Sequence, residues 1–396
     1  MYTRPAWVEI SRNHLIANYL ELRRLAGNAE VLAVVKANAY GHGLVDCAGA
    51  LVEVGAEWLG VTSVEEAIRA RTACPGASIL VMSGIWQREA DAAIEHRLTP
   101  VVWESFHLDL LEEAAHRRAL SPGSVPVHLE LDTGMSRQGI RLQGAGFDAV
   151  LSRFRPESPL LLEGMATHFS APETLDATGN AKQIARFDAA IEHVAARGLS
   201  PRWIHAGNSA TILRGDQLDS LRHVAGKAGA KLMLRAGLSL YGYAPRFACG
   251  GKTITPPGDG AERLLPVLTW KTRVASIRTI AEGEGAGYNS TFIAARPTRL
   301  ALLPIGYADG LNRLLSNRGS VLVRGQRAPI AGRISMDQTI LDVTGVPDVE
   351  IGDEAVIIGR QGEEAITAYE IADLIGTIPY EVCCAIGTRV PRVMAE

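Results

Sequence analysis

Short apolar runs alternate with amphipathic segments between residues 31 and 237 of the chain. A short continuous apolar run is typical of a strand that is buried on both faces, as in a parallel sheet. Eight such runs occur, at residues 31–36, 58–63, 78–84, 99–103, 125–132, 160–168, 203–207 and 231–237. Segments with helical periodicity lie between them, most clearly at residues 64–72, 88–96, 106–118 and 181–197. Eight strands that alternate with helices predict a (β/α)8 barrel.

The pattern changes after Gly242. Residues 248–262 contain a Gly-Gly and a Pro-Pro pair and predict an irregular loop. Runs rich in Val, Ile and Thr then predict strands at residues 268–280, 299–304, 320–324, 338–343 and 355–358, with one helix at residues 369–375. We therefore predict an α/β chain with a (β/α)8 barrel over residues 1–242 and a mainly β domain over residues 243–396. Residues 1–12 are candidates to pair with this second domain.

Composition narrows the classes of function. A chain of 396 residues is long enough for two domains, and its net charge of −3 comes without a basic cluster that would bind nucleic acid. No apolar run approaches the roughly 18 residues of a membrane span, and the N-terminus lacks a signal peptide, so we expect a cytoplasmic protein without a membrane partner. The five cysteines lack CxxC spacing and the ten histidines lack HxxxH spacing, which predicts reduced thiols and no catalytic metal.

Side chains that can take part in catalysis stand at the ends of several apolar runs. Lys36 and His168 are the last residues of the first and sixth runs, and Arg235 lies near the end of the eighth. The carboxyl ends of barrel strands meet at one face, and active sites lie there. Loops are polar in any fold, but this alone does not explain a lysine, a histidine and an arginine in equivalent positions. We therefore expect these three side chains at the barrel mouth.

Lys36 ends the first apolar run. A partly desolvated lysine has a lowered pKa and can act as an amine nucleophile or a proton carrier. Such an amine can hold an aldehyde cofactor as a Schiff base. The alternative is a lysine whose ammonium group extends from the strand end into water. The loop that follows places Tyr40 among glycines, where its hydroxyl can contact an anion or simply form part of a turn.

The loops after the seventh and eighth runs predict a phosphate site. Barrels commonly bind phosphate at these two loops. Asn208 and Ser209 follow the seventh run, and Gly237 and Leu238 follow the eighth. The hydroxyl of Ser209 and the N–H groups of Gly237 and Leu238 can bind the anion. Arg235 keeps its charge at any ordinary pH and needs an acceptor, for which the ring nitrogen of an aromatic cofactor is a candidate.

Taken together and in order, these motifs resemble those of alanine racemases, which are pyridoxal 5'-phosphate enzymes with a barrel and a β domain. The resemblance extends from Trp7 to Arg392. Its motifs are AVVKANAYGHG at residues 33–43, DTGMSR at 132–137, THF at 167–169, HAGNS at 205–209, RAG at 235–237, YG at 241–242, GY at 287–288, PIGYADG at 304–310 and SMD at 335–337.

The resemblance implies roles by position. Lys36 would bind pyridoxal phosphate as a Schiff base and exchange a proton on the D face of the amino acid substrate, and Tyr288 of the other subunit would be the base on the L face. A homodimer with shared active sites is therefore implied. The implied cofactor ligands are Tyr40, Ser209, Gly237 and Leu238 at the phosphate, Arg235 at the ring nitrogen with His205 and His168 beside it, and Asn208 and Tyr241. The implied substrate-binding residues are Arg137, Met336, Tyr307 and Asp337.

Three features depart from the family pattern. Glu130 stands where many of these enzymes have a carbamylated lysine, so we predict that no carbamylated lysine exists there and that Glu130 pairs with Arg137, unless it is a surface residue. Thr388 stands where a tyrosine that reaches the phosphate is frequent, and a smaller residue here could widen substrate choice toward serine. Residues 214–232 look longer than the usual link and predict a surface excursion.

Several alternatives remain open at this point. A broad-specificity or serine racemase would share every motif and differ only in the size of its substrate pocket. A basic-amino-acid decarboxylase also uses pyridoxal phosphate on a similar barrel, but it would not need the pair of bases at Lys36 and Tyr288. A non-enzymatic cofactor-binding protein of the single-barrel type would lack the second domain, and a barrel that only binds a partner would lack the cofactor.

Overall fold

The structure, a computed structural model, describes residues 4–142, 145–254 and 260–396. It divides into two compact units. The barrel unit comprises Leu15–Ala39 and the described part of Leu44–Leu265, and the β unit comprises the described part of Met1–His14 together with Tyr40–Gly43 and Pro266–Glu396. The sequence-based boundary after residue 242 stays a prediction about folding domains, while the described residues from 243 to 265 group with the barrel unit.

Eight parallel strands of the described chain close into a barrel. They are Glu30–Val34, Trp58–Val61, Ser78–Val81, Thr99–Val102, Val125–Asp132, Leu160–Ala166, Trp203–His205 and Lys231–Ala236. Each pairs in parallel with the next, and the last pairs with the first, Arg235 opposite Leu32. Nearly every strand residue is buried, because its side chain faces either the barrel interior or the surrounding helices. The predicted α/β fold class is therefore confirmed.

Helices connect these strands, as the periodicity predicted. The main ones are Arg12–Ala26, Leu44–Glu53, Val64–Ala73, Glu89–Glu95, Ser105–Arg117, Ala145–Leu151, Thr178–Ala196, Ser209–Arg214 and Leu218–Lys227. The last of these corrects the predicted surface excursion at residues 214–232. Leu218, Leu221, Val224 and Ala225 are buried along one side of this helix, so the segment is an ordinary barrel helix rather than an irregular loop.

The predicted loop at residues 248–262 is partly regular. Strands Phe247–Cys249 and Lys252–Ile254 form an antiparallel hairpin, and Ala261–Arg263 forms a 3-10 turn. Residues 255–259 of this predicted loop lie outside the described residues.

A seven-stranded sheet forms the centre of the β unit. Its order is Gln326–Pro329, Ser320–Val323, Glu354–Gln361, Leu268–Arg273, Ala6–Ser11 and Arg392–Ala395, with Glu364–Ile366 paired to Glu354–Gln361. Ser276–Ile280, Thr298–Leu303 and Thr339–Asp342 form a second sheet, so the run predicted at residues 268–280 is two strands rather than one. Gly285–Ala286 and Phe292–Ile293 form a short hairpin, and Ala368–Ile375 and Pro379–Cys384 are helices.

None of the described helices is long and apolar enough to cross a membrane. No group of three or more His, Cys, Asp or Glu side chains in the described ranges is arranged to hold a metal ion.

Candidate active site

Lys36 is half-buried and begins an unusual turn at the end of the first barrel strand. The next four residues, Ala37 to Tyr40, have φ angles between 51° and 56°. This left-handed region costs a residue other than glycine roughly 1–2 kcal/mol. The N–H of Ala39 donates to the Val35 carbonyl at 2.9 Å, which closes the turn. The backbone after Lys36 is therefore strained and needs support from its surroundings.

Arg235 is buried inside the barrel with four acceptors around it. Its Nη1 donates to His205 Nδ1 at 2.9 Å and to the His205 carbonyl at 3.1 Å. Its Nη2 donates to the Thr167 carbonyl at 2.8 Å and to His168 Nδ1 at 3.1 Å. Arg235, His168 and His205, which the sequence had placed together, are thus in contact. Among the described residues Nε of Arg235 makes no hydrogen bond, so this donor remains for another acceptor.

Arg235 also fixes the tautomers of both histidines. A guanidinium can only donate, so Nδ1 of each ring is an unprotonated acceptor and the ring proton lies on Nε2. His205 Nε2 then donates to His128 Nδ1 at 2.9 Å, and His128 Nε2 lies 3.5 Å from Glu163 Oε2. A chain of polar groups therefore leads from Arg235 through the barrel interior to Glu163.

His128 and Glu163 were missed by the sequence reasoning. Residues two apart in a strand face the same side, so the spacing of His128 and Glu130 could have indicated that both face the barrel interior. The backbone also makes room for the imidazole. A Cβ at Gly164 would lie 2.7 Å from ring atoms of His128, so a larger residue at that position would displace it.

Burial is the main cause that lowers the pKa of all three histidines. It lowers the pKa of His168 to about 3, with further lowering by the charges of Arg235, Arg137 and Lys36. It lowers the pKa of His205 well below its ordinary value, and it lowers that of His128 against the opposing effect of Glu163. Lys36 and His168 both follow the carboxyl ends of barrel strands, and the charge of Lys36 contributes to the lowered pKa of His168.

Acid is therefore expected to destabilise the fold. Between the ordinary histidine pKa of about 6.5 and the folded value of about 3 for His168, the unfolded chain binds a proton that the folded chain does not. The free energy of unfolding then falls as the pH falls, by about 1.4 kcal/mol per pH unit for each such histidine. Chemical denaturation at stepped pH measures this slope. A His168→Asn variant should show a slope shallower by that amount, and parallel slopes would contradict the assignment.

Ser209, the predicted phosphate ligand, begins a short capped helix after the seventh barrel strand. Asn208 caps the helix Ser209–Arg214 by accepting from the N–H groups of Ala210 and Thr211 at 3.0 and 3.4 Å. Ser209 Oγ accepts from the N–H groups of Gly237 and Ser239 at 3.0 and 3.3 Å. Because two donors already point at this oxygen, its own proton is directed elsewhere.

The two predicted backbone donors differ from each other. The N–H of Gly237 donates to Ser209 Oγ and is therefore already used. The N–H of Leu238 has no acceptor among the described residues, so it remains available to an anion. Tyr241 is fully buried and donates to the Val34 carbonyl at 2.9 Å, just before Lys36. In this structure Tyr241 therefore contacts the strand that leads to Lys36.

Glu130 is a buried residue, so the surface alternative is wrong. It is 8% exposed and accepts from Gln138 Nε2 at 2.6 Å, and Gln138 also donates to the Met82 carbonyl at 3.1 Å. The predicted direct ion pair between Glu130 and Arg137 is absent from the described chain. Arg137 is exposed, and the amide of Gln138 donates to the Glu130 carboxylate instead. Burial raises the pKa of Glu130, and the charges of Arg235 and Arg137 oppose this.

Glu130→Gln is expected to raise the KM for the amino acid by about two- to five-fold, since the charge of Glu130 acts on an exposed arginine and is partly screened. Steady-state kinetics on the purified enzyme measure the change. Glu157→Gln, at an exposed glutamate of the same unit, is the control. An unaltered KM would show that Arg137 does not depend on Glu130.

The remaining predicted site residues belong to the β unit. Tyr288, Met336 and Tyr307 are 69%, 53% and 42% exposed, an unusual state for large apolar side chains. Asp337 forms an ion pair with Arg389, whose Nε also donates to the buried Asp309 at 2.8 Å. The chain thus presents two tyrosines and a methionine to the outside of this unit.

Tyr40 lies in the β unit, where its ring centroid is 6.0 Å from that of Tyr380 and burial raises the pKa of its hydroxyl. Gly41 follows with a φ of 84°, and a Cβ there would lie 2.2 Å from the Cys383 carbonyl oxygen. Only glycine therefore fits after Tyr40.

The chain matches known proteins over nearly its whole length. The chain matches the family model of the alanine racemase N-terminal domain over residues 10–245 and that of the alanine racemase C-terminal domain over residues 267–394. It is 38% identical to the alanine racemase of Symbiobacterium thermophilum, over 98% of this chain and 97% of that protein.

Solved structures give the same result. The alanine racemase from Bacillus anthracis with bound L-Ala-P is similar with a TM-score of 0.87 and 31% identity, over 100% of this chain and 96% of that one. The alanine racemase from Bartonella henselae with covalently bound pyridoxal phosphate is similar with a TM-score of 0.80 and 27% identity, over 99% of each chain.

Proposed function

Because this chain belongs to the alanine racemase family, we propose that it interconverts L- and D-alanine by a two-base mechanism that uses pyridoxal phosphate. That it is an amino-acid racemase follows from its family. The two bases, the identity of the cofactor ligands and the subunit arrangement are the proposed part.

The residues of the barrel mouth fit this cofactor. Lys36 offers an amine, the unused Nε donor of Arg235 suits a ring nitrogen, and the Ser209 hydroxyl with the Leu238 N–H suits a phosphate. Asn208 and Gly237 would support that phosphate site, because one caps the helix that begins at Ser209 and the other donates to its hydroxyl. When bound, pyridoxal phosphate supplies an aldehyde carbon for amines and a ring that withdraws electrons from the Cα–H bond.

The observation that carries the proposal is the joint placement of Lys36 and the cluster of Arg235 and His168. Lys36 and His168 follow the carboxyl ends of two strands of one parallel barrel, and Nη2 of Arg235 donates to Nδ1 of His168 at 3.1 Å. His168 is therefore a neutral ring with its Nε2 proton available at the same mouth. This proton can stabilise the phenolate form of a tyrosine that approaches it, which is the form that removes a proton.

We assign the second base to Tyr288 of a partner chain. Racemisation removes the Cα proton on one face and returns one on the other, so two bases on opposite faces serve it without turning the substrate. Lys36 would act on the D face and Tyr288 on the L face. The exposure of Tyr288, Tyr307 and Met336 supports a homodimer in which these side chains are covered by another copy. Arg137 would bind the substrate carboxylate, and Met336, Tyr307 and Asp337 would border the substrate.

The test is racemisation of alanine, serine and lysine by the purified protein with pyridoxal phosphate, followed by chiral analysis of each product. We expect conversion of alanine in both directions and a covalent adduct on Lys36 after borohydride reduction. A colourless protein that leaves alanine optically unaltered would contradict the proposal. Release of carbon dioxide would instead indicate a decarboxylase. Sedimentation of the holoenzyme tests the homodimer, and cell fractionation tests the proposed cytoplasmic location.

Serine racemisation is the second candidate. Thr388 is exposed in the described chain and is smaller than the tyrosine that the family often has at this position. A Thr388→Tyr variant should lower serine turnover more than alanine turnover if this residue sets substrate choice.

A further inference from the structure

We propose that Glu66 is a positioning residue for Lys36, because its carboxylate holds the left-handed turn that follows the lysine. Nothing in the motifs around Lys36 points to Glu66, which lies on the helix after the second barrel strand. The inference rests on the proposed role of Lys36 in the reaction.

Glu66 ties the turn to the neighbouring strand end. Its Oε1 accepts from the backbone N–H of Asn38 at 3.1 Å. Its Oε2 accepts from the N–H and the hydroxyl of Thr62 at 3.2 and 3.3 Å. Thr62 directly follows the strand Trp58–Val61, so one half-buried carboxylate links two of the loops at the barrel mouth. Both of its oxygens are used, one for each loop.

Glu66 is itself held in place. It lies in the first turn of the helix Val64–Ala73, where its N–H donates to the side chain of the capping residue Ser63 at 3.2 Å. The cap thus holds the backbone of Glu66, and the two bonds from Thr62 hold its carboxylate. The helix and Thr62 therefore fix the position of the Glu66 carboxylate, and the turn after Lys36 binds to a carboxylate that is already in place.

Asn38 is tied from a second side. Its Oδ1 accepts from the N–H of Leu44, the first residue of the next helix, at 3.0 Å. Asparagine tolerates positive φ better than most residues, whereas Ala37 and Ala39 do not. Two alanines in the left-handed region, on either side of one anchored asparagine, show that the turn depends on its contacts at Asn38.

Asn38 is only two peptide bonds from Lys36, so loss of its hydrogen bond to Glu66 is expected to change the position of the lysine. Without the acceptor at Glu66, Ala37 and Asn38 can return to negative φ, and the direction in which Lys36 leaves the strand changes. A reacting group that is misplaced by about 1 Å can lose about 100-fold in rate. Glu66 is thus expected to influence turnover more than binding of alanine.

The experiment compares holoenzymes that carry Glu66→Ala, Glu66→Gln and the control Glu65→Ala, which removes an exposed glutamate from the same helical turn. We expect Glu66→Ala to lower kcat about 10- to 100-fold with KM changed less than about three-fold. Glu66→Gln should lie between this variant and the parent, because an amide has one acceptor oxygen for two N–H groups. The visible absorption of the bound cofactor should shift in the same order, and Glu65→Ala should leave all readouts unchanged.

A second substitution separates positioning from general loss of stability. Glycine populates positive φ without penalty, and the side chain of Ala37 is exposed, so Ala37→Gly should relieve the turn without disturbing the core. In the Glu66→Ala background it should restore about ten-fold of the lost kcat, which a merely structural defect would not show. If Glu66→Ala does not fold, Glu66→Gln with and without Ala37→Gly decides the question.

The outcomes are distinguishable. If the Glu66 variants show the same kcat, KM and cofactor absorption as the control Glu65→Ala, the inference is overturned. The proposed function is left intact by that result. A parent enzyme without racemisation or a Lys36 adduct would instead remove the proposed function. A loss of kcat that parallels the loss of thermal stability and is not restored by Ala37→Gly would also count against Glu66 as a positioning residue.

Discussion

Tyr288→Phe is expected to lower exchange of the Cα hydrogen of L-alanine with solvent by about 10²- to 10⁴-fold, the range in which a general base contributes. Exchange from D-alanine should fall far less, because the amine of Lys36 still removes that proton. The phenylalanine ring keeps the shape of the side chain and removes only the hydroxyl. The effect should therefore fall on proton transfer on one face rather than on assembly of the site.

The local structure indicates that Tyr288→Phe disturbs little of the surrounding packing. Tyr288 begins the short turn Tyr288–Ser290, in which Asn289 and Ser290 have φ angles of 60° and 43°, and its side chain is 69% exposed within its own chain. Little packing is therefore lost on removal of one oxygen. Deuterium incorporation into each enantiomer, followed by mass spectrometry at early times, measures the two directions separately.

Tyr307→Phe is the matched control, since Tyr307 is also a half-exposed tyrosine of the β unit but is assigned to the site entrance. It should affect both directions alike. Equal losses from L- and D-alanine in Tyr288→Phe would argue for a single base and against the assignment.

Arg235→Glu is expected to lower racemisation strongly and to raise transamination. The guanidinium cannot transfer a proton at ordinary pH, so it limits how strongly a ring nitrogen beside it attracts electrons. A glutamic acid can supply such a proton. Racemisation and pyruvate formation from alanine, measured on the same preparation, report the two effects.

The surroundings of Arg235 show that the glutamate would also lower the stability of the fold, which the sequence did not indicate. A glutamate would face the carbonyls of His205 and Thr167 and the Nδ1 atoms of two histidines, all of which are acceptors. Each buried acceptor that is left without a donor costs about 1–3 kcal/mol. The folded fraction of this variant therefore has to be measured before its activity is compared.

Arg235→Lys is the control for this prediction. It keeps a permanent charge but replaces the planar fork, which makes contacts to four acceptors, by a single ammonium group. Racemisation should fall while transamination stays low. A rise in pyruvate formation with lysine as well as glutamate would show that loss of geometry, rather than proton supply, causes the side reaction.

The predictable part of the molecule is the part that depends on local pattern. Apolar runs identified all eight barrel strands, because each strand is buried on both faces and its residues show this directly. The placement of Lys36, His168 and Arg235 at one mouth followed from barrel topology. The contact of Arg235 with both histidines was predicted only from the resemblance to the family motifs.

The unpredicted part depends on which side chains the closed barrel brings together. His128 and His205 lie on the fifth and seventh strands and meet only across the barrel interior, which no sequence spacing records. Glu130 was expected to pair with Arg137, yet the neighbouring Gln138 is the partner. The left-handed turn at Ala37–Ala39 was also missed, because alanine carries no signal for positive φ.

The strand Ala6–Ser11 has a consequence for how the chain is made. It lies between Leu268–Arg273 and Arg392–Ala395, so it pairs on one side with Trp270 opposite Val8 and on the other with Arg392 opposite the same residue. Both partners therefore lie far later in the chain and are synthesised after all eight barrel strands. Pairing across such separations is slow because a long loop must close first. During translation this strand remains an open edge until its partners emerge, so the nascent protein depends on protection from aggregation in that interval.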